Sequence, residues 1–191
     1  MAMAVVTEGG LGVLAIVVGW GLGLNPLELV TGDWWALVWG CLAALPMLAA
    51  IILSERLPFW PFCDVTDVVD RLLRPLFAKS TVLELAIISA LAGIGEELMF
   101  RGLVQEGLAR WIGGTWGIWI ALFLASVLFG LLHPMNTAYV LLAALMGLCL
   151  GGLWIATANL LVPIVTHAVY DFLALYWLVK MQRTEKDSDA V

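Results

Sequence analysis

Long apolar runs divided by short polar breaks dominate the chain, and their length sets the fold class. A helix crossing a bilayer needs about 20 predominantly apolar residues. Runs of that kind occur at about residues 5–24, 34–53, 81–100, 116–132, 138–156 and 160–179. The first is stopped by Asn25-Pro26, and a polar tail follows the last. One stretch has a different period. From Asp64 to Phe77, Val65, Val68, Val69, Leu72, Leu73 and Leu76 recur at helical spacing, and Asp64, Asp67, Asp70, Arg71 and Arg74 fill the other side. That pattern predicts an amphipathic helix, lying on the membrane surface or packed on the protein's own flank. The predicted architecture is an all-α polytopic membrane bundle, with about six spanning helices and one amphipathic surface helix. Residues 1–180 form a single membrane-embedded domain, and residues 181–191 form a polar, disordered tail.

Composition supports this class. Of 191 residues, 63% are hydrophobic and 13% charged, about half the charged share of an ordinary soluble domain. A net charge of −6 argues against a nucleic-acid partner, which would favour a basic patch. Cys41, Cys63 and Cys149 form no C-x-x-C pair, so they read as small residues packed between helices. The opening segment MAMAVVTEGG has no basic region, so the first run is expected to persist as a span.

Lysines and arginines orient the bundle. Arg56, Arg71, Arg74 and Lys79 lie in one loop, and Lys180, Arg183 and Lys186 in the tail; only Arg101 and Arg110 fall on the other side. With six spans, this places both termini on the cytoplasmic side, in a bacterial inner membrane or a thylakoid-like membrane. Trp34, Trp35, Trp60, Trp111, Trp116 and Trp177 stand near predicted span ends, where indole rings favour the interface. Ser89/Gly93 and Gly147/Gly151 are small pairs at i, i+4 that permit close helix contacts. No internal repeat is visible, which counts against a two-half transporter.

Against this apolar background the ionisable residues stand out. LAGIGEELMFRG carries Glu96, Glu97 and Arg101; both histidines of the chain, His133 and His167, lie at or in apolar runs; and Asp171 follows His167 at i+4. Intramembrane ionisable groups face the bundle interior or a wet cavity and pair with one another. One site collecting all of them is the economical arrangement. Glu97 and Arg101 share a helix face and read as an ion pair. Glu96, about 100° away, is free to take a proton from water. Three carboxylates against one arginine imply either a divalent cation or a carboxyl that keeps its proton. His133 fits a role in polarising water or ligating a metal. His167 and Asp171 fit metal ligation or stabilisation of an oxyanion. H-E-x-x-H and G-x-S-x-G are both absent, which removes an ordinary zincin and a nucleophile-elbow hydrolase.

In order, EELMFR (Glu96 to Arg101), FGLLH (Phe129 to His133) and HAVYD (His167 to Asp171) resemble the three motifs of the CAAX-processing and bacteriocin-processing (CPBP, or Abi) family of intramembrane proteases. The motifs lie in the second half, within residues 81–180. The resemblance implies an intramembrane endopeptidase that hydrolyses a peptide bond of a membrane-associated protein or peptide. Glu96 and His133 would activate water, and His167 and Asp171 would stabilise the oxyanion. Glu97, Arg101 and Phe129 would support them. If a metal is used, Glu96, His133, His167 and Asp171 are its implied ligands and Zn2+ the implied ion; no other cofactor is expected. The alternatives are a non-catalytic membrane scaffold or chaperone of the same fold and, less favoured, a cation or proton transporter.

Overall fold

A computed structural model describes residues 2–54 and 60–178. Arg56 and the tail expected at residues 181–191 lie outside the described residues. Every regular element among the described residues is helical. In chain order these are α1 (Ala2–Gly21), a one-turn 3-10 helix (Pro26–Leu29), α2 (Trp34–Ser54), α3 (Cys63–Phe77), α4 (Val82–Ile112), α5 (Gly114–Leu131), α6 (Thr137–Thr157) and α7 (Leu161–Tyr176). The all-α bundle expected from the run pattern is the observed fold.

The count of six spans is not confirmed. Four helices, α1, α2, α5 and α6, are long and apolar enough to cross a membrane, and a fifth span results if α3 and α4, bent by 117°, are taken together. The α4 helix runs past the expected end near residue 100 to Ile112. Its own Glu84, Glu96, Glu97, Arg101, Glu106 and Arg110 dilute its apolar character. Among the described residues the regular α-helical part of α7 covers 16, fewer than the roughly 20 of a typical crossing. Outward faces of α1, α2 and α5 carry exposed Val13, Val17, Leu42, Leu45, Trp119 and Phe123, as a lipid-facing surface requires. Trp34, Trp35, Trp60, Trp111 and Trp116 are also exposed, close to helix ends.

Local chemistry fixes the helix boundaries. Thr81 and Glu84 form a reciprocal capping box: Glu84 N–H donates to Thr81 Oγ1 at 3.2 Å, and Thr81 N–H donates to Glu84 Oε2 at 2.7 Å. This satisfies two amides at the start of α4. Gly113 and Gly114 both take positive φ, 73° and 64°, conformations open to glycine without a Cβ penalty. They reverse the chain between α4 and α5. Asn136 caps α6 by accepting from Tyr139 N–H at 2.8 Å. Its Nδ2 donates to the Asp64 carbonyl at 2.8 Å, which ties α3 to the α5–α6 turn.

Centrally placed, α4 packs against α1, α5 and α7, while α2 packs on α7 and α5 on α6. Lipid tails are as apolar as leucine, so these contacts depend on close packing. The small-residue expectation holds. A Cβ on Gly93 would meet the Ile164 carbonyl oxygen of α7 at 2.8 Å, one on Gly147 would meet Ser126 Cα of α5 at 2.9 Å, and one on Gly151 would meet Gln105 Oε1 at 2.5 Å. Gly93→Ala is therefore expected to cost about 1–3 kcal/mol. Gly10→Ala in α1, where nothing lies within 4 Å, should instead raise stability by about 0.5–1 kcal/mol. Thermal melts of the two variants in detergent should move in opposite directions.

One expectation needs correction, and one open alternative narrows. Cys41, Cys63 and Cys149 are free but exposed, not packed between helices: a thiol is apolar enough to face lipid as readily as a neighbouring helix. The α3 helix is as much a wall of the protein as a surface element. Val65, Val68 and Val69 are buried, whereas Leu72 and Leu76 remain exposed. Its outer face is laced by Asp67–Arg71 and Asp70–Arg74 pairs at i, i+4.

Candidate active site

Three segments deliver the motif residues to one place. Glu96 and Glu97 close the α-helical part of α4, and the next eight residues, Leu98–Gln105, form wider π-helical turns. Such turns concentrate at functional sites. His133 lies two residues beyond the end of α5, and α7 presents His167 and Asp171 one turn apart.

The Glu97–Arg101 pair expected from the spacing is present and wholly interior. Arg101 Nη1 donates to Glu97 Oε1 at 2.7 Å, with the side chains 1% and 0% exposed. Arg101 Nη2 donates to the Gly147 carbonyl on α6 at 3.1 Å. The guanidinium also sits 4.7 Å from the centroid of the Phe129 ring, a cation–π distance. Arg101 is thus no loop residue, and it drops out of the positive charges that could mark a membrane side.

Glu97 also anchors the histidine. His167 Nδ1 lies 2.8 Å from the same Oε1. An ionised carboxylate only accepts, so Nδ1 carries the proton and Nε2 is turned to the opposite side. His133 is fixed in the same way: its Nδ1 bonds the Phe129 carbonyl at 2.8 Å, and a carbonyl too can only accept. Phe129 braces both rings, with centroids 4.7 Å from His133 and 6.1 Å from His167.

Both Nε2 atoms converge on Glu96. His133 Nε2 is 3.9 Å from Oε1, His167 Nε2 is 3.9 Å from Oε2, and Asp171 Oδ2 is 3.5 Å from His167 Nε2. Glu96 Oε2 is buried without a hydrogen-bond partner. These groups line a cavity of about 260 Å³, mostly apolar elsewhere and closed on one side by Val65, Thr66, Val69, Leu73 and Phe77 of α3. All four residues expected at the centre, Glu96, His133, His167 and Asp171, therefore face one another, with Glu97, Arg101 and Phe129 behind them.

Two imidazoles and two carboxylates are suitable zinc donors by type. As placed they do not converge on a point: among the described residues no group of three or more His, Cys, Asp or Glu is arranged to hold a metal ion.

Residues 78–173 match the sequence model of a family described as type II CAAX prenyl endopeptidase Rce1-like. The matched segment covers more than half of the chain and contains all three motifs. The chain belongs to the Rce1-like family. No curated protein and no solved structure matches it. The Rce1-like match accords with the resemblance read from Glu96 to Asp171, and it makes the chain a member of a protease family built into membranes.

Some residues of this Rce1-like site escaped the sequence reading. Glu8 of α1, the half-buried Tyr139 and the buried Tyr170 line the same cavity. Glu8 had a usable signal, an acid inside the run 5–24, subject to the same rule that picked out Glu96. The tyrosines had none, since an aromatic residue in an apolar helix is ordinary.

Proposed function

We propose that the chain is an intramembrane endopeptidase in which Glu96 and His133 activate a water molecule against a peptide bond of a membrane-associated substrate. The observation that carries this reading is the buried Glu96 side chain, its Oε2 without a hydrogen-bond partner, facing two imidazole Nε2 atoms at 3.9 Å each. A gap of that width is too long for a direct hydrogen bond and is spanned by one water making two bonds of about 2.8 Å. In the proposed reaction Glu96 takes a proton from that water. The oxygen attacks the carbonyl carbon, and Glu96 returns the proton to the departing amine nitrogen. His133 Nε2, its tautomer set by the Phe129 carbonyl, orients the water. His167, as an imidazolium donating Nδ1–H to Glu97, stabilises the oxyanion through its second proton on Nε2, with Asp171 beside it holding the ring.

The cavity adjoins a larger, almost wholly apolar groove of about 600 Å³ between α2, α6 and α7, and the two share Ile51, Leu142, Met146 and Tyr170. This continuity supports a substrate with an apolar chain arriving from the bilayer. The prenylated peptides in the family's description have that form.

Cleavage tests the reading. The purified protein is incubated in detergent with prenylated and unmodified peptides, and products are read by mass spectrometry against Glu96→Gln. New termini formed only by wild type support the protease; none, with folding verified in several lipids, moves the reading to a scaffold. The donor spacing favours water held by Glu96 and His133, so cleavage is expected to persist with a chelator present. Loss of activity that returns on adding Zn2+ would instead establish the metal-assisted version.

A further inference from the structure

The α3 helix walls one side of the catalytic cavity with Val65, Thr66, Val69, Leu73 and Phe77. It packs on α6 and more lightly on α2, whereas α4 and α7 are each packed on several helices. At one end a short link, residues 78–81, joins it to α4 across the 117° bend, and the Thr81–Glu84 capping box starts α4 firmly there. Near the other end Asn136 Nδ2 donates to the Asp64 carbonyl at 2.8 Å. Asp64 lies roughly 20 Å along the helix from Phe77, at about 1.5 Å per residue. The turn that carries Asn136 is held without α3. His133 N–H donates to the Gly130 carbonyl at 2.9 Å, and Met135 N–H to the His133 carbonyl at 2.8 Å. His133 Nδ1 is bonded to the Phe129 carbonyl, and Asn136 Oδ1 accepts from Tyr139 N–H. The Asn136–Asp64 bond therefore restrains α3 and not the turn.

Apolar contact alone holds this wall weakly. Val65, Val68 and Val69 are buried, but an apolar side chain that leaves a helix contact can enter lipid, which is as apolar as leucine. A polar contact has no such replacement in lipid, so the Asn136–Asp64 bond weighs heavily in keeping α3 docked. The cavity behind it, about 260 Å³, lies below the roughly 300–1,000 Å³ of ordinary ligand pockets, and a peptide cut within its length continues on both sides of the reacting bond. We propose that α3 is a gate to the catalytic cavity: it swings at residues 78–81, is latched by Asn136 on the Asp64 carbonyl, and opens to admit the substrate's polypeptide. What passes the gate rests on the protease reading; the latch does not.

Asn136→Asp keeps the acceptor that caps α6, since aspartate caps as well as asparagine, but an ionised carboxylate cannot donate to Asp64. Asn136→Ser also caps, carries no charge and is too short to bridge. Val69→Cys puts a reporter thiol on the buried, cavity-facing side of α3, and Ser89→Cys puts a control thiol at a buried position of α4. Each is made with Cys41→Ser, Cys63→Ser and Cys149→Ser, and a water-soluble maleimide reads how often the thiol is uncovered in lipid nanodiscs. Both Asn136 variants are expected to speed alkylation of Val69→Cys about tenfold, the effect of losing one hydrogen bond, and to leave Ser89→Cys unchanged. An unchanged rate at Val69→Cys overturns the proposal, and so does an equal rise at both positions, which reports general loosening. In cleavage, KM is expected to fall by a similar factor with kcat unchanged, because a larger share of the protein is open to substrate. Faster labelling with an unchanged KM overturns α3 as the entry route. Faster labelling in a protein that cleaves no peptide leaves the latched helix standing and removes the protease reading alone.

Discussion

Glu96→Gln is expected to reduce kcat for peptide cleavage by about 10²–10⁴-fold, the range a positioned general base supplies, while the protein still folds and still binds substrate. The amide matches the carboxylate in size and lies in the same cavity among the same histidines, so packing changes little. It cannot accept a proton from water, and the rate falls through that one loss. Catalytic rate, KM and a thermal melt, measured on one preparation, separate this outcome from damage to the fold. An unchanged kcat would remove Glu96 from the reaction and end the proposed mechanism. A raised KM with kcat retained would assign Glu96 to substrate binding.

Arg101→Leu should be the most destabilising single change in the site, costing about 3–5 kcal/mol, or a fall in Tm of about 10 °C. Three features produce the cost. The variant leaves the Glu97 carboxylate buried without its cation, leaves the Gly147 carbonyl without its donor, and removes the cation from the face of Phe129. The double variant Glu97→Leu/Arg101→Leu buries no charge and should regain much of the lost stability. It should nevertheless remain slow, because His167 Nδ1 loses its acceptor. A melt and a cleavage assay on the same two proteins test both halves. Equal stability of the single and double variants would show that the ion pair is not what holds this part of α4.

What was legible in the sequence was whatever a local pattern encodes. Run lengths gave the helical bundle, and the i, i+4 spacing gave the Glu97–Arg101 pair and the shared face of His167 and Asp171. The scarcity of ionisable groups in apolar runs pointed to one common site. Properties that depend on partners distant in the chain were hidden. That Glu97 serves both Arg101 and His167 follows from α4 meeting α7 at Gly93. That α3 is a cavity wall follows from Asn136 reaching back to Asp64, and no period within residues 64–77 reports it. The span count was not confirmed for a related reason. The residues that make α4 chemically useful lower its apolar average, so hydropathy alone misjudges the helix that matters most.

The wider turns from Leu98 to Gln105 also bear on how this helix tolerates change. A π-helical turn is an α-helical turn carrying one residue too many, so it is a stored insertion. Removing a single residue there would restore the tighter pitch and leave Arg110 and the Gly113–Gly114 reversal close to their present phase relative to Glu96, whereas the same deletion from a regular α-helical stretch would swing them by about 100°. The segment therefore buffers the phase between two halves of one rod: the first aims the base into the cavity, and the second docks on α5.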